Sequence, residues 1–289
     1  MASVSPAERE SFQRDGFLKV DARSRPRRAS SVSSEKLISV EQAKELREHY
    51  EELFSRKVPH RKSSPLVAAV ALSPDVAQVA ASLMGWEGTR LAQDDVLWKP
   101  PGASGVGYHQ DSAYISQNFR PLENNSVTVW IALDDADEET GVVEYAVGSH
   151  RWPLHDDSAT TSSFHGADDE WAPLRHAAER AGVGPPEIRR LTVPLGGAVF
   201  HHQDVWHGSG RNRSSHRPRR ALGVHLLKRR ETEEIQISKL KKSIGDLVWR
   251  REPRPDYIYG RYMLSEDSEE VSEQFFPITW TPSGASWAS

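Results

Sequence analysis

Three residues of this chain have the chemistry and spacing to hold a redox metal: His109, Asp111 and His207. Two imidazoles and one carboxylate on one face of a metal leave the opposite face open. A non-haem Fe(II) oxygenase needs that open face because a substrate and O2 must both reach the iron. Residues i and i+2 of a β-strand point to the same side, so His109 and Asp111 can act together from one strand. With His207 supplied by another strand, the pattern predicts an Fe(II) site.

A second His-x-Asp pattern, His202 and Asp204, competes with the first. It lies only a few residues before His207, so a single strand would have to supply all three ligands. His202 and Asp204 would share a face, but His207 lies at odd separation from His202 and would point to the other face. We therefore predict that neither His202 nor Asp204 binds the metal, that His202 lies near the substrate pocket, and that His201 is an ordinary strand or surface residue.

The chain reads His-Gly-Ser-Gly-Arg-Asn-Arg-Ser from His207 onward, and an arginine-rich run follows. This stretch resembles the phytanoyl-CoA dioxygenase family of Fe(II)/2-oxoglutarate oxygenases, in which H-G-S-x-x-N-x-S precedes an arginine that binds the far carboxylate of 2-oxoglutarate. A guanidinium suits a carboxylate because it donates two parallel hydrogen bonds at fixed geometry. Arg219 matches that arginine with one extra residue after His207, which leaves Arg217 and Arg220 as alternatives.

Other segments resemble the same family and occur in the same order. They are residues 12–17 (FQRDGF), 97–102 (LWKPPG), 127–133 (VTVWIAL), 141–151 (GVVEYAVGSHR) and 275–277 (FFP). Val147 stands where the family usually has proline. The likeness extends over roughly residues 10–280, and the ordered set of segments is far more specific than a single His-x-Asp.

The resemblance implies Fe(II) as the metal, 2-oxoglutarate as co-substrate, and O2, with no catalytic group beyond the metal ligands. The residues that we expect near 2-oxoglutarate are Arg219, Ser209, Trp130, Gln93 and Lys99. The residues that we expect to line the substrate pocket are Tyr108, Tyr114 and His202. The resemblance also implies that the long polar segment from Pro153 to Pro186 helps to cover the substrate.

Local signals predict helices first and strands afterwards. Residues 39–42 (SVEQ) form a capping-box pattern that opens one helix, and a second helix begins at Ser73-Pro74 and ends near Gly85. From Leu91 onward, short segments of β-branched and aromatic residues alternate with Gly, Pro and Asp turns. The pattern indicates a mainly β fold with flanking helices, and the resemblance makes it a double-stranded β-helix, the jelly-roll core of cupins.

Length and composition favour a single domain over residues 1–289, with a helical part at about 1–90 and the β-helix core at about 91–289. The 37 basic and 41 acidic residues nearly balance, so no strong field favours nucleic acid. The chain has no cysteine, which excludes disulfides, thiolate metal sites and cysteine nucleophiles. No apolar run approaches the ~20 residues of a membrane span and no signal-peptide core is evident, so we expect a cytoplasmic protein without membrane partners.

The expected reaction is hydroxylation of a small-molecule metabolite with release of succinate and CO2. Two alternatives stay open: an acyl-CoA hydroxylase of the same family, and a cupin-type metal protein that does not use 2-oxoglutarate. The sequence also leaves open the identity of the substrate, the choice between hydroxylation, desaturation and cyclisation, and the oligomeric state.

Overall fold

Helices dominate the first part of the computed structural model, and strands dominate the rest. The structure describes residues 4–20, 37–55, 64–115, 119–120, 123–153, 169, 171–229, 236–237 and 276–283. The α-helices are α1 Pro6–Asp15, α2 Val40–Ser55, α3 Pro65–Ala71, α4 Pro74–Met84, α5 Ser112–Ile115 and α6 Ala172–Arg180. The strands are β1 Phe17–Val20, β2 Thr89–Lys99, β3 Val106–His109, β4 Phe119–Arg120, β5 Ser126–Ala132, β6 Val143–Ala146, β7 Ile188–Arg190, β8 Ala198–His202, β9 His207–Ser209, β10 Arg219–Lys228, β11 Gln236–Ile237 and β12 Ile278–Trp280.

The two helix starts read from the sequence are confirmed by their hydrogen bonds. The Ser39 amide donates to Gln42 Oε1 at 2.9 Å, and the Gln42 amide donates to Ser39 Oγ at 3.0 Å, which closes the capping box before α2. The Ser73 side chain caps α4 by accepting a hydrogen bond from the Val76 amide. This helix ends at Gly85, whose φ of 69° lies in the left-handed region that glycine adopts without steric cost.

Two antiparallel sheets carry the core. The major sheet has the strand order β1-β8-β5-β10-β2-β12, and the minor sheet has the order β3-β9-β6-β7. The sheets face each other, because the ring of Phe17 from β1 stacks on that of Tyr145 from β6 with centroids 4.6 Å apart. This architecture confirms the predicted fold class, a mainly β double-stranded β-helix with flanking helices.

Helices α2, α3 and α4 cover the outer face of the major sheet. Alternation along β5 puts Val127, Val129 and Ile131 into the apolar core under these helices, whereas Trp130 belongs to the core between the two sheets. Every residue of β5 is therefore buried, since both faces of this strand are covered. The inner face is left to hold the polar residues of the site.

One helical stretch, Pro65–Met84, has the length and hydropathy of a membrane span, contrary to our expectation that no apolar run approaches that length. The stretch comprises α3 and α4, which are separated by Leu72 and Ser73. Half of it is buried within the structure, where its apolar residues pack against the major sheet. Its hydrophobicity is accounted for by that core position.

Candidate metal centre

Strand β3 and the residues after it, together with the start of β9, bring His109, Asp111 and His207 together. These strands pair antiparallel with His109 opposite His207. The Oδ1 atom of Asp111 lies 3.8 Å from His109 Nε2 and 3.6 Å from His207 Nε2. One ligand atom from each of the three side chains lies within 4.8 Å of the others, a separation that one metal ion can bridge. The structure thus assembles the three ligand types that the sequence predicted.

Backbone carbonyls fix the ring orientation of both histidines. Nδ1 of His109 lies 2.8 Å from the Gly107 carbonyl oxygen, and Nδ1 of His207 lies 3.0 Å from that of Val205. A carbonyl only accepts, so each Nδ1 carries the proton and donates it. Both Nε2 atoms then have a lone pair for a metal, which is the arrangement that supports histidine ligands in metalloproteins.

The second carboxylate oxygen of Asp111 is held by the major sheet. Its Oδ2 atom accepts hydrogen bonds from the Thr128 hydroxyl and from Nε2 of His201, the latter at 3.1 Å. Nδ1 of His201 in turn lies 3.1 Å from the Tyr145 hydroxyl, and Thr128 Oγ1 lies 2.9 Å from Nδ1 of His225. With Oδ2 occupied, Oδ1 alone faces the two ligand histidines, so Asp111 is set up as a ligand through one oxygen.

The electrostatics of the three residues suit a cation. Burial, together with the nearby His207, lowers the pKa of His109 to about 3. Burial and His201 lower the pKa of His207 to about 4. Burial opposes ionisation of Asp111, yet His207 and the hydrogen bond from His201 hold the pKa of its carboxyl well below the usual range. Neutral imidazoles and an ionised carboxylate are the protonation states that metal binding requires.

A buried guanidinium lies in the same space between the sheets. Arg219 is 4% exposed, and its Nε has no hydrogen-bond partner in the described part of the chain. Its guanidinium carbon lies 5.4 Å from the centroid of a Trp130 ring. Burial lowers its pKa to about 10. Because leaving a buried donor unpaired is costly, this side chain suits an anionic ligand that would complete its hydrogen bonds.

The two competing arginines point elsewhere. Arg220 follows Arg219 on the same strand and therefore faces the outer side, where its Nε donates to Asp134 Oδ2 at 2.6 Å. Arg217 lies at the surface before β10, and its Nη1 donates to Asp137 Oδ2 at 2.7 Å. The structure thus distinguishes the three candidates that the sequence left open, because only Arg219 faces the space between the sheets.

Most residues expected near 2-oxoglutarate accompany Arg219. Lys99 pairs with Arg219 across β2 and β10, and its Nζ donates to Ser209 Oγ at 2.6 Å. All three side chains are buried. Gln93 lies on the same face of β2 but opposite His225, and its amide donates to Asp95. Six residues of a strand span roughly 20 Å, so Gln93 does not join the Lys99 cluster.

Two of the residues expected to line the substrate pocket, Tyr108 and His202, point away from the space between the sheets. Tyr108 points to the outer face of the minor sheet, because its neighbour His109 points inward, and its hydroxyl donates to Glu144 Oε2 at 2.9 Å. Nε2 of His202 lies 2.7 Å from Asn124 Oδ1, on the opposite side of β8 from His201. Strand alternation accounts for both orientations. The side chain of Tyr114, in α5, lies outside the described residues.

The segment expected to cover the substrate is partly described. Its helix α6 packs against the outer face of the minor sheet, where the Trp171 and Tyr108 ring centroids are 4.7 Å apart. Buried Leu174 and Ala177 belong to the same cluster. This part therefore lies on the far side of the sheet from the metal ligands. Residues 154–168 and 170 lie outside the described residues.

Sequence reasoning missed the polar residues around Asp111: His201, Thr128, His225 and Tyr145. For His225 a signal existed, since it lies six residues after Arg219 on β10 and an even separation keeps both on the inner face. Thr128 likewise shares its face with Trp130. No such signal marks His201, because all five residues of β8 are buried and its two faces look alike.

Comparison with known proteins identifies a family for this chain. A family model described as phytanoyl-CoA dioxygenase matches residues 4–221. The chain is 32% identical over 139 residues to a probable alpha-ketoglutarate-dependent hypophosphite dioxygenase from Stutzerimonas stutzeri, a match that covers 46% of this chain and 43% of that protein. It is 31% identical over 175 residues to phytanoyl-CoA dioxygenase domain-containing protein 1 from Mus musculus, with 56% and 53% covered. The chain thus spans about half the length of these curated relatives.

A solved structure shares the fold over nearly its whole length. The epimerase SnoN from nogalamycin biosynthesis, crystallised with Fe3+, alpha-ketoglutarate and nogalamycin RO, superposes with a TM-score of 0.65. The match covers 94% of this chain and 97% of that one at 17% identity. At this identity the likeness supports the double-stranded β-helix fold.

Proposed function

The chain belongs to the phytanoyl-CoA dioxygenase family, and from that premise we propose that it is an Fe(II)/2-oxoglutarate-dependent dioxygenase. Its reaction would convert a substrate C–H, O2 and 2-oxoglutarate into a hydroxylated product, succinate and CO2. We assign this activity to a single domain over residues 1–289, located in the cytoplasm and acting on a small molecule. The observation that carries the proposal is a buried Arg219 with an unbonded Nε, in the same inner space as His109, Asp111 and His207.

The metal would be held by Nε2 of His109, Nε2 of His207 and Oδ1 of Asp111. Bound Fe(II) with 2-oxoglutarate supplies the O2 and one-electron chemistry that amino-acid side chains lack. The chain contributes fixed ligand geometry, because the Gly107 and Val205 carbonyls orient the two rings. Because three protein ligands would not saturate a metal, 2-oxoglutarate and O2 could both reach it there.

Arg219 would bind the distal carboxylate of the co-substrate. Ser209 and Lys99 lie at the same end of β2 and β10 and can add a hydroxyl and an ammonium. Trp130 forms the apolar wall beneath the guanidinium. This arrangement favours a dicarboxylate co-substrate over the alternative of a cupin-type metal protein without one, because such a protein has no need of a buried, incompletely bonded arginine.

The test is co-substrate turnover by purified protein supplied with Fe(II), ascorbate, O2 and 2-oxoglutarate. We expect succinate to form, and we expect 2-oxoglutarate to bind only to metal-loaded protein with an intact Arg219. A protein that binds Fe(II) but neither binds 2-oxoglutarate nor forms succinate would contradict the proposal and favour the cupin-type alternative.

A further inference from the structure

Strand β2 presents two chemically different ends to the inner space. Alternation puts Gln93, Asp95, Leu97 and Lys99 on one face, opposite His225, Gly223, Ala221 and Arg219 of β10 in that order. Lys99 lies at the end of β2 that is next to Arg219 and Ser209. Asp95 lies four residues away, roughly 13 Å along the strand. The wall is therefore basic at the proposed 2-oxoglutarate end and acidic at the other.

Asp95 is close to the metal ligands but differs from them in exposure. Its Oδ2 accepts from the Gln93 amide and lies 3.5 Å from His225 Nε2, while the Nδ1 of the same ring lies 3.8 Å from Oδ2 of Asp111. One imidazole thus separates the two carboxylates. The Asp95 side chain is 42% exposed, against 2% for Asp111. In the described part of the chain, Oδ1 of Asp95 has no hydrogen-bond partner.

A position without a side chain lies beside Asp95 on the inner face, and we call the space over it the recess. Gly223 stands between Asp95 on β2 and Trp130 on β5, and it places no side chain on the inner face. A Cβ at Gly223 would lie 3.7 Å from the Asp95 carbonyl oxygen and 3.8 Å from Leu97 Cδ1, which are ordinary contacts. Packing within the protein therefore does not require glycine here. Leu97 is 40% exposed and adds an apolar surface to the recess.

We propose that Asp95 selects the substrate and that the substrate carries an amino group, bound as ammonium by Asp95 beside the carbon that is oxidised. The inference rests on the proposed function and names its substrate class. A half-open carboxylate with an unbonded oxygen suits a charged N–H donor, since such hydrogen bonds are stronger than neutral ones. The separation from Asp111 by one imidazole places the amine within a small molecule's length of the metal.

The same carboxylate argues against the acyl-CoA alternative. An apolar acyl chain packed on Asp95 would strip water from the charge and offer no hydrogen bond in return, which is costly. A substrate carboxylate or phosphate at that end would face both Asp95 and Asp111. Repulsion of this kind is how a site discriminates against wrong ligands.

The test uses protein loaded with Fe(II) and 2-oxoglutarate and kept free of O2. The probes are small amino acids, diamines and amino sugars, each paired with its N-acetyl derivative, and the readout is the visible absorption band of the Fe(II)–2-oxoglutarate complex. We expect at least one amine to shift this band while its N-acetyl partner does not. Asp95→Asn should raise the dissociation constant of that amine by about tenfold to a hundredfold, the range for loss of a charged hydrogen bond.

Two further variants make the result interpretable. Gly223→Ala adds a methyl group that fits the protein but enters the recess, so it should also weaken the binding of the amine. Glu87→Gln removes an exposed acid outside β2 and should respond as the wild type does. An amine that binds Asp95→Asn as tightly as wild type, or a panel in which no amine shifts the band of protein that holds Fe(II) and 2-oxoglutarate, overturns this inference alone. Wild-type protein that binds no 2-oxoglutarate overturns the proposed function, and this inference with it.

Discussion

Nε2 of His201 lies 3.1 Å from Oδ2 of Asp111, on the side of the carboxylate that faces away from the ligand histidines. Burial lowers the pKa of His201, so its ring is neutral and the proton on Nε2 is the one donated. The Tyr145 hydroxyl then serves as donor to Nδ1 of the same ring. A hydrogen-bonded line from Tyr145 through His201 therefore orients Asp111 so that its Oδ1 faces the two ligand histidines.

Removing one ligand histidine should abolish most iron binding. His109→Ala and His207→Ala each leave two ligands of a three-ligand site, so iron content after anaerobic reconstitution should fall from about one per chain to a small fraction. Metal analysis of the desalted proteins measures this. His216→Ala, which changes an exposed histidine, is the control and should keep its iron. Full iron content in both ligand variants would contradict the assignment of His109 and His207 as metal ligands.

Substitution of the two adjacent histidines of β8 should have sharply different effects on Fe(II) affinity. His201→Ala removes a hydrogen bond to Asp111 and should lower Fe(II) affinity by about 10–100-fold, the usual effect of losing a group that supports a metal ligand. His202→Ala should leave the affinity near normal, because His202 bonds Asn124 on the other side of the strand. Competition with a chelator gives both affinities. Equal losses in the two variants would contradict the proposed metal site.

Arg219→Ala should weaken the binding of 2-oxoglutarate without lowering the iron content of the protein. Loss of one partner of a buried charge pair typically costs about 3–5 kcal/mol, which is two or more orders of magnitude in the dissociation constant. Arg217→Ala should change it little, since that side chain pairs with Asp137 at the surface. Titration of 2-oxoglutarate into Fe(II)-loaded protein provides the comparison. If Arg217→Ala or Arg220→Ala abolishes binding and Arg219→Ala does not, the alignment of the arginine is wrong.

Metal binding should resist acid further than free imidazoles would. With pKa values of about 3 for His109 and about 4 for His207, both rings stay neutral well below the ordinary value near 6.5. Protons should therefore not displace the metal from the histidines between pH 7 and about 5. Affinities of Co(II), a redox-stable substitute, measured across this range would test it, and a tenfold loss between pH 7 and 6 would contradict it.

The same depressed pKa values predict an acid-sensitive metal-free fold. Between pH 6.5 and about 4 these histidines bind protons in the unfolded chain but stay neutral in the folded protein. The free energy of unfolding therefore falls as pH falls. Each such histidine contributes at most about 1.4 kcal/mol per pH unit. Urea unfolding of metal-free protein at pH 7, 6 and 5 measures the slope. His207→Gln should show a shallower slope, and an unchanged slope would argue against the buried, neutral state of His207.

Local sequence signals determined the helix starts and the metal-ligand types. The capping box of α2 and the serine cap of α4 act within a few residues, so they can be read without knowledge of the rest of the fold. The His-x-Asp spacing and the histidine before Gly208 likewise indicated which three residues could meet. The ordered likeness to an oxygenase family added the jelly-roll core and the arginine, with Arg217, Arg219 and Arg220 left as alternatives.

Tertiary structure decided which side chains share the inner space. Alternation predicts the inner face of a strand only when a polar face or a site residue already assigned to that face marks it. Strand β8 is buried on both faces and has no such marker, so nothing in its sequence separates His201 from His202. Arg219 was distinguished from its neighbours by the partners that Asp134 and Asp137 provide to Arg220 and Arg217. Asp95 came to lie beside His225 through pairing of β2 with β10, strands more than a hundred residues apart. Such contacts arise from non-local antiparallel pairing, whose register depends on the whole sheet and on no short segment of the chain.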